Sequence, residues 1–375
     1  MTDTSSELMY AIALSNIPEV GSIIGRKLIS MMGSAQNVLT ADKKILVNYE
    51  HLPLYLADNI IKNKNTALQK AENEILFMQK NNISALLYND DDYPDRLRQC
   101  PDAPLVLFSR GNFNANAQHC LAIVGTRKCT PYGINSTKMI VEQLAEYNPL
   151  IISGLALGID TAAHQAALEN NLSTVGILGH GLKFIFPASN RGLAKRMLDH
   201  GGVMTEFTSD TCGDAFNFPR RNRIIAGMAD AIIVIEAHAR GGALITANLG
   251  FSYARDVFAL PGKATDTASA GCNNLIKNNK AALITSGDDI AGLMNWIGKN
   301  KRKNKKNELQ QLLINFDPTE QSILQALQQN EGINIDELAL ITDIDHLTLA
   351  NVLLSLELQG YIVCMPGKKY YLHLQ

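Results

Sequence analysis

The feature that most constrains the fold is a repeating pattern that begins at Leu121. Short apolar runs, most of them ending in glycine or a polar residue, alternate with longer segments of helical apolar spacing. This strand–glycine–helix repeat is typical of an open parallel sheet with helices on both faces. The sequence therefore predicts an α/β domain with an open, mostly parallel sheet over residues 121–298. Its strands are expected at "LAIVG", "PLIISG", "TVGILG", "GVMTEF", "AIIVIEA", "DVFALPG" and "AALITSG".

The regions on either side have different patterns. Residues 1–90 carry helical apolar spacing and predict an all-helical domain. Residues 91–120 form a proline-rich connector that contains one short strand, "LVLF". Residues 299–316 are a basic linker, because six cations and almost no apolar residues lie between Lys299 and Lys306. Residues 317–375 predict three helices and a hairpin around Pro366-Gly367, the arrangement of a winged helix-turn-helix.

Composition limits the classes of function. The 375 residues include 34 Lys and Arg against 36 Asp and Glu, so a uniformly basic coat is excluded while a local basic groove is not. The six cysteines are scattered without metal-ligand spacing, which is typical of reduced thiols in a cytosol and predicts no metal site. The first residues lack the pattern of a signal peptide, and no apolar stretch approaches about 20 residues. We expect a cytoplasmic protein with no membrane span.

Ligands of an open parallel sheet bind outside the carboxyl ends of its strands, so the residues after each strand are the candidates for a site. Gly125, Thr126 and Arg127 follow the first strand of the repeat and precede a helix. Their spacing is not G-x-G-x-x-G, and the second strand ends on Ser153-Gly154 without an acidic residue. The pattern argues against a dinucleotide cofactor. It predicts an anion site, since glycine, hydroxyl and arginine meet at a helix N-terminus. The candidate contacts in these two turns are Gly125, Thr126, Arg127, Ser153 and Gly154. His164 in the next helical segment has no evident nucleophile partner, so a histidine satisfied by a nearby carboxylate is expected there.

The turn after the third strand, "LGHGLKFIFPASNRG", interleaves cations with aromatic rings. Such a mixture suits a chain of phosphates and bases, because cations neutralise the backbone while bases stack on the rings. For each phenylalanine alone, a position in the core is about as plausible. The candidate contacts in this turn are Gly179, Gly181, Lys183, Phe184, Phe186, Asn190 and Arg191.

A cluster of arginines opens the helical segment "PRRNRIIAGM". Arginines in the first turn of a helix are unfavourable against the macrodipole unless an anion neutralises them. Later turns add glycines and cations to the same carboxyl edge of the sheet, which we call the rim. The rim then has more anion-binding turns than one mononucleotide can occupy. The sequence thus predicts a groove for a strand of nucleic acid, with Arg127 and Arg223 at the surface. The candidate contacts here are Arg220, Arg221, Asn222, Arg223, Arg240, Gly241, Gly242 and Lys263.

These blocks together resemble the DprA/Smf family, the DNA-processing proteins of natural transformation. They follow the family's order and cover roughly Tyr93 to Ile290. The segments that carry the resemblance are "AIVGTRKCTPYG", "SGLALGIDTAAHQAAL", "LGHGLKFIFPASN", "FPRRNRIIAGM", "EAHARGGALITA" and "VFALPG…SAGCNNLI".

The resemblance implies an extended Rossmann-like domain that binds single-stranded DNA without a cofactor and without catalysis. It also implies a homodimer that protects incoming single strands and helps to load the RecA recombinase. Departures from the family's pattern, such as Lys183 after Gly-Leu, remove no cation. By motif, the implied DNA contacts are Gly125, Thr126 and Arg127, the loop from Lys183 to Asn190, and Arg220, Asn222 and Arg223.

The flanking domains are less specific. "IPEVGSIIGRKLI" is similar to a helix-hairpin-helix in a SAM-like helical domain, but Ser22 replaces the second glycine of its turn. Packing or self-association is therefore an equal alternative to phosphate contact. The recognition helix expected in the winged helix, "HLTLANVLLSLELQG", is poor in Arg and Lys within an acidic domain. Base readout needs donors that this helix lacks, so we favour a protein-contact or duplex-accessory role.

Two other functions remain open from the sequence. The first is a Rossmann-like enzyme that cleaves a nucleotide with Glu206 or Glu236 as the acid, because both lie at strand ends. The second is a winged-helix DNA-binding regulator. Turnover of a nucleotide would support the enzyme, and loss of DNA binding on deletion of residues 317–375 would support the regulator.

Overall fold

A computed structural model describes residues 4–48, 52–296, 316–329, 332–365 and 369–372. The chain divides into two compact units, Met1–Trp296 and Ile297–Gln375. The basic linker expected at 299–316 lies outside the described residues except for Phe316. The exact domain boundaries given above therefore remain predictions.

The N-terminal region is helical, as its apolar spacing predicts, and ends in a strand. Leu14 and Leu28 of its helices pack in one buried cluster with Phe108 of a second strand. The helices are therefore attached to one edge of the sheet rather than standing apart from it. The elements are α1 (Thr4–Ser15), α2 (Ser22–Met32), α3 (Ala35–Thr40), α4 (Lys43–Asn48), α5 (Leu54–Asn81), β1 (Ser84–Leu87) and β2 (Val106–Gly111).

The α/β sheet has nine strands in the order β1-β2-β6-β5-β4-β3-β7-β8-β9. The seven strands from β3 to β9 are parallel, while β2 pairs antiparallel with both β1 and β6. The prediction of an open, mostly parallel sheet is confirmed. The remaining strands are β3 (Cys120–Val124), β4 (Leu150–Ser153), β5 (Thr174–Ile177), β6 (Gly201–Thr205), β7 (Ala231–Val234), β8 (Asp256–Ala259) and β9 (Ala282–Leu283).

Helices cover both faces because successive strand residues point to opposite sides. In β3, Ala122 and Val124 pack in one buried cluster, while Leu121 and Ile123 pack in another. Each cluster contains residues of covering helices, so the sheet is buried on both faces. The helices are α6 (Asp95–Arg98), α7 (Pro131–Gln143), α8 (Ile159–Glu169), α9 (Arg191–Met197), α10 (Asn217–Met228), α11 (Gly242–Ser252), α12 (Ala270–Lys277) and α13 (Gly287–Leu293).

The strand order reverses at β3, which lies between β4 and β7. From β3 the chain passes outward through β4, β5 and β6, then returns to the other side of β3 with β7. Loops at the carboxyl ends of β3 and β7 consequently leave in different directions and open a crevice. This switch point fixes where a ligand can enter the sheet edge.

The second unit is a winged helix, as its sequence pattern predicts. Its three-stranded antiparallel sheet has the order β10-β12-β11. Lys369 begins β12, whereas Lys368, which the sequence also assigns to the hairpin, lies outside the described residues. The elements are α14 (Pro318–Gln329), β10 (Ile333–Asn334), α15 (Ile335–Thr342), α16 (His346–Leu358), β11 (Ile362–Met365) and β12 (Lys369–Leu372).

Within the described ranges, no one helix has both the length and the apolar character needed to cross a membrane. The bent pair formed by α15 and α16 passes such a test by length and composition. Several of the residues responsible are core leucines of the winged helix, including Leu349, Leu353 and Leu356.

His164 of α8 is a core residue. Its side chain is fully buried, and Nδ1 lies 2.7 Å from the Thr174 hydroxyl while Nε2 has no partner. The sequence suggests a histidine satisfied by a carboxylate, and that expectation is wrong, because its partner is a hydroxyl. Burial, assisted by the charge of Arg221, lowers the pKa of His164 to about 3.

This burial gives a pH dependence of stability. As pH falls through about 6.5, the unfolded chain protonates this histidine while the folded chain does not, so stability is lost at about 1.4 kcal/mol per pH unit. Between pH 6.5 and pH 5, the free energy of unfolding of His164→Asn should therefore fall by about 2 kcal/mol less than that of the wild type. Urea unfolding followed by the fluorescence of Trp296, the only tryptophan, measures this difference. Exposed His200 gives the matched control, His200→Asn; an unchanged slope in His164→Asn would contradict the assignment.

Candidate nucleic-acid interface

A crevice of about 530 Å³ opens at the switch point between β3 and β7. Its walls come from the turn after β3, the turn before α11, and the first turn of α10. Seven residues that the sequence predicts as contacts line it, so widely separated motifs do meet in one place. These residues are Gly125, Thr126, Arg127, Arg221, Asn222, Gly241 and Gly242.

Arg127 is the exposed cation of the crevice. Its guanidinium carbon lies 5.5 Å from the centre of the Phe218 ring, within the range of a cation–π contact. Arg127 and Phe218 both line the crevice, and the contact holds the head group there. An arginine placed in this way can donate to a phosphate, and a base can stack on its guanidinium plane.

Arg221 forms the floor of the crevice rather than its rim. The side chain is buried, and its guanidinium donates to the carbonyl oxygens of Gly154 and Ile177. Burial lowers the pKa of Arg221 to about 10, while the nearby Asp160 carboxylate acts in the opposite direction. Burial likewise raises the pKa of Asp160, and Arg221 partly offsets the rise. The expectation that Arg221 contacts DNA directly is therefore corrected: it braces the turns after β4 and β5.

Phe218 lines the crevice, and two phenylalanines near it, Phe186 and Phe216, are exposed. The ring centres of Phe218 and Phe186 lie 6.1 Å apart, and Phe186 is 53% exposed. Phe216, directly before α10, is 81% exposed. The sequence predictions omit Phe216 and Phe218, although their closeness to the arginines in the sequence is a signal that could have identified both. Phe184, by contrast, stacks on His180 at 5.3 Å and is half-buried.

The Lys183 loop is fixed to the loop after β6. Lys183 donates to Asp210 at 2.7 Å, and both side chains are exposed. Hydrogen bonding to Asp210 raises the pKa of Lys183. The Asp210 loop is held in turn by buried Glu74 of α5, which accepts from the Ser209 backbone N–H at 2.9 Å and its hydroxyl at 2.6 Å. Burial raises the pKa of Glu74. The N-terminal helices therefore help to position this part of the rim.

Arg223 is not at the surface, contrary to the sequence expectation. Its side chain is buried and donates to the Glu206 carboxylate and to the Asp102 carbonyl. One Glu206 oxygen has no hydrogen-bond partner, and the more exposed Arg220 lies 3.9 Å from the other. The cause of the error is that the loop between β6 and α10 folds back, which brings Glu206 at the end of β6 against Arg223, and the sequence pattern does not show this. Arg223 neutralises this internal carboxylate, so we no longer expect it to contact DNA.

Two further predicted contacts are buried. The Ser153 hydroxyl donates to the Ile123 carbonyl at 2.6 Å, and the Asn190 amide donates to the Leu155 carbonyl at 2.9 Å. Both side chains use these donors inside the protein, which corrects the expectation of direct contact. They join the turns that form the walls of the crevice.

The predicted glycines mostly permit close packing. A Cβ at Gly179 would lie 2.8 Å from the Phe218 ring, and one at Gly154 would lie 2.6 Å from Asp160 and Arg221. The Gly181 N–H already donates to the Thr211 carbonyl. Gly154, Gly179 and Gly181 therefore allow close packing inside the protein. Gly241 and Gly242, by contrast, line the crevice at the start of α11.

The remaining predicted contacts lie outside the crevice on the same edge of the sheet. Arg191, Arg240 and Lys263 are exposed, and each follows the carboxyl end of a strand. They extend the positive edge on both sides of the crevice: Arg191 follows β5, whereas Arg240 and Lys263 follow β7 and β8.

The two glutamates considered as catalytic acids have structural partners. Glu206 is paired with Arg223, as described above. Glu236 is buried and accepts from the backbone N–H of Thr130 at 2.9 Å and its hydroxyl at 2.5 Å. Across the described ranges, no cluster of three His, Cys, Asp or Glu side chains is arranged to hold a metal.

Two parts of the sequence match models of known protein families. Residues 84–295 match the family model described as DNA recombination-mediator protein A, and residues 307–368 match a DprA winged helix domain. The chain belongs to the DprA family. The protein Smf of Escherichia coli, a DprA relative, is 34% identical over 316 residues, which cover 79% of each chain. The DprA protein of Streptococcus pneumoniae is 42% identical over 201 residues, 54% of this chain and 71% of the relative.

Solved DprA structures share the fold. The DprA structure from Streptococcus pneumoniae has a TM-score of 0.60 at 32% identity and covers 76% of this chain and 96% of its own. A DprA structure from Helicobacter pylori, described as showing a single-stranded DNA binding mode, has a TM-score of 0.52 at 26% identity. It covers 56% of this chain and 95% of its own.

The buried pair makes Arg223 a stability residue. Arg223→Met would leave the Glu206 carboxylate buried without its main partner, so the free energy of unfolding should fall by about 3–5 kcal/mol. The double variant Arg223→Met/Glu206→Met should recover most of the loss. Urea unfolding monitored at Trp296 tests this, with Arg127→Ala as the control expected to stay within about 0.5 kcal/mol of the wild type. A wild-type stability for Arg223→Met would contradict internal neutralisation.

Proposed function

We propose that this chain binds single-stranded DNA along the carboxyl edge of its sheet, without base preference and without catalysis. The observation that carries the proposal is the position of Arg127 above the Phe218 ring at the mouth of the switch-point crevice. The cation can donate to a phosphate, and bases can stack on its guanidinium plane or on exposed rings such as Phe216. Unpaired strands present both groups, whereas duplex bases are already stacked on one another.

The form of the site supports an extended ligand. The crevice opens onto a rim with exposed cations on both sides, including Arg191 and Arg240. A single nucleotide could fill about 530 Å³, but it would leave those cations without anions. Phosphates along a strand would neutralise several of them at once, and this predicts affinity that falls steeply with salt.

Absence of catalysis is supported by the assignments of the two strand-end glutamates. Both carboxylates accept internal hydrogen bonds that hold α7 and α10 to the sheet. A general acid needs access to the leaving group, and these groups are buried.

We further propose that the protein acts as a homodimer in the cytoplasm, where it protects incoming strands and helps to load RecA during transformation. Relatives called DNA processing protein support the role in DNA handling. Buried thiols at Cys100, Cys120 and Cys272 suit a reducing compartment. The outer strand β9 is a candidate for the dimer surface, because Leu283 on β9 is 50% exposed and nearby Leu293 of α13 is 55% exposed.

The central test is Arg127→Ala with an oligo-dT of about 20 nucleotides. Removing one phosphate contact should weaken binding and reduce the slope of log affinity against log salt by about one ion. Fluorescence anisotropy across a salt series measures both quantities. Arg196→Ala is the matched control, because Arg196 is an exposed arginine at the end of α9, on the opposite edge of the sheet. Equal slopes for Arg127→Ala and the wild type, or preference for duplex, would reject the proposed groove.

Stacking on Phe216 gives a separate prediction. Base–aromatic stacking contributes about 1–3 kcal/mol per base, so Phe216→Ala should weaken binding of the same oligonucleotide by about 5- to 100-fold. The salt slope should stay at the wild-type value because no cation is lost. Phe251, 57% exposed near the end of α11, supplies the control Phe251→Ala. A lowered salt slope or unchanged affinity in Phe216→Ala would contradict a stacking role.

A further inference from the structure

The winged helix presents an apolar face to solvent where a DNA-reading helix would present polar groups. On α16, Leu347, Leu354 and Leu358 are 76%, 57% and 81% exposed. Separations of seven and four residues place these side chains on one side of the helix. Leu340 and Ile341 of the preceding α15 are also exposed, at 86% and 54%. We call these five leucine and isoleucine side chains the apolar face.

The opposite side of α16 packs in the core of the winged helix. Leu349, Leu353 and Leu356 are buried in the winged-helix cluster. The outer leucines are therefore not needed to build the core. An exposed row of large apolar side chains such as Leu347, Leu354 and Leu358 on one side of a helix is typical of a surface that binds a partner.

Negative charge predominates in the domain that carries the apolar face. Residues 317–375 contain eight Asp and Glu and only two Lys, with no Arg. Asp336 and Glu337 lie in the first turn of α15, and Asp343 and Asp345 lie in the turn between the two helices. Asp336 is 81% exposed at its side chain and lies 3.9 Å from His346. An apolar face with an acidic border is thus the surface that a partner would meet.

We propose that this face is a docking site for an amphipathic helix of a partner protein, with an apolar stripe flanked by Lys or Arg. Three exposed anchors at spacings of seven and four residues match the repeat by which a helix lies along another helix or in a groove. The acidic border complements basic flanks on the incoming helix and fixes its orientation. This function is independent of the DNA groove on the first unit.

Charge argues against the other occupants. A duplex or an anionic membrane would bring negative charge against the acidic border, and α16 contains no Lys or Arg to contact phosphate. A second copy of the same face would place two acidic borders together, which is unfavourable. A basic helix is the occupant for which both the apolar and the charged parts of the surface are complementary.

The test uses the full-length protein and two synthetic helical peptides of about 18 residues, roughly five turns. One peptide has leucines at i, i+3, i+4 and i+7 flanked by lysines, and its twin has glutamates in place of the lysines. Fluorescence anisotropy at about 150 mM salt should show micromolar binding of the lysine peptide, and at least about tenfold weaker binding of the twin.

Variants assign the binding to the face. Leu354→Glu/Leu358→Glu should weaken the lysine peptide at least about tenfold. Asp336→Asn/Asp343→Asn should weaken it about three- to tenfold and reduce its salt dependence. Leu76→Glu is the matched control, because Leu76 is a 64% exposed helical leucine of the first unit. All variants should retain wild-type affinity for oligo-dT, and an unchanged far-UV circular dichroism spectrum and thermal unfolding profile should report that the second unit is folded.

Several results would overturn the proposal. They are absence of lysine-peptide binding up to about 1 mM, equal binding of the twin, and full binding by the double leucine variant. Light scattering that shows fewer copies per particle in the double leucine variant would assign the face to self-association instead. Duplex or anionic-vesicle binding that this variant abolishes would assign it to those ligands. None of these results bears on oligo-dT binding, so failure here is distinct from failure of the proposed DNA function.

Discussion

One buried cation organises the site of this protein. The guanidinium of Arg221 lies beneath the switch-point crevice and donates to carbonyl oxygens at the ends of β4 and β5. Its charge is balanced by Asp160 of α8, so a single side chain of α10 joins two strand ends and a helix. Burying a charge is costly unless it is paired and hydrogen-bonded. The arrangement therefore requires all three turns to be in place before the floor of the crevice is stable.

The three arginines of α10 accordingly have different roles. Arg221 and Arg223 point inward and neutralise internal oxygens, while Arg220 remains exposed beside the Phe207 ring. The sequence places these arginines in the first turn of the helix, but α10 begins at Asn217, so Arg221 and Arg223 lie in its second turn. Their compensating anions are Asp160 and Glu206 of the protein itself. Exposed cations on other turns, Arg127 first among them, are left to meet an external anion.

Much of the architecture was predictable because it follows from local pattern. Apolar runs closing on glycine give the parallel strands, and helical spacing gives the covering helices and the winged helix. The convergence of Gly125 to Arg127 with Gly241 and Gly242 followed from the rule that ligands bind at the carboxyl edge. The direction of each arginine was not predictable, because it depends on carboxylates distant in sequence, such as Glu206. Asn190 and Ser153 were misassigned for the same reason: their carbonyl partners belong to other strands and turns.

The pair between Lys183 and Asp210 has a consequence for how a strand would leave the rim. On the proposed function, Asp210 occupies the position beside Lys183 that a phosphate would take, so arrival of the strand exchanges one anion for another. The binding free energy at this loop is therefore only the difference between two similar ion pairs. When the DNA leaves, Lys183 pairs with Asp210 again. On this proposal the loop would hold a strand weakly and release it readily.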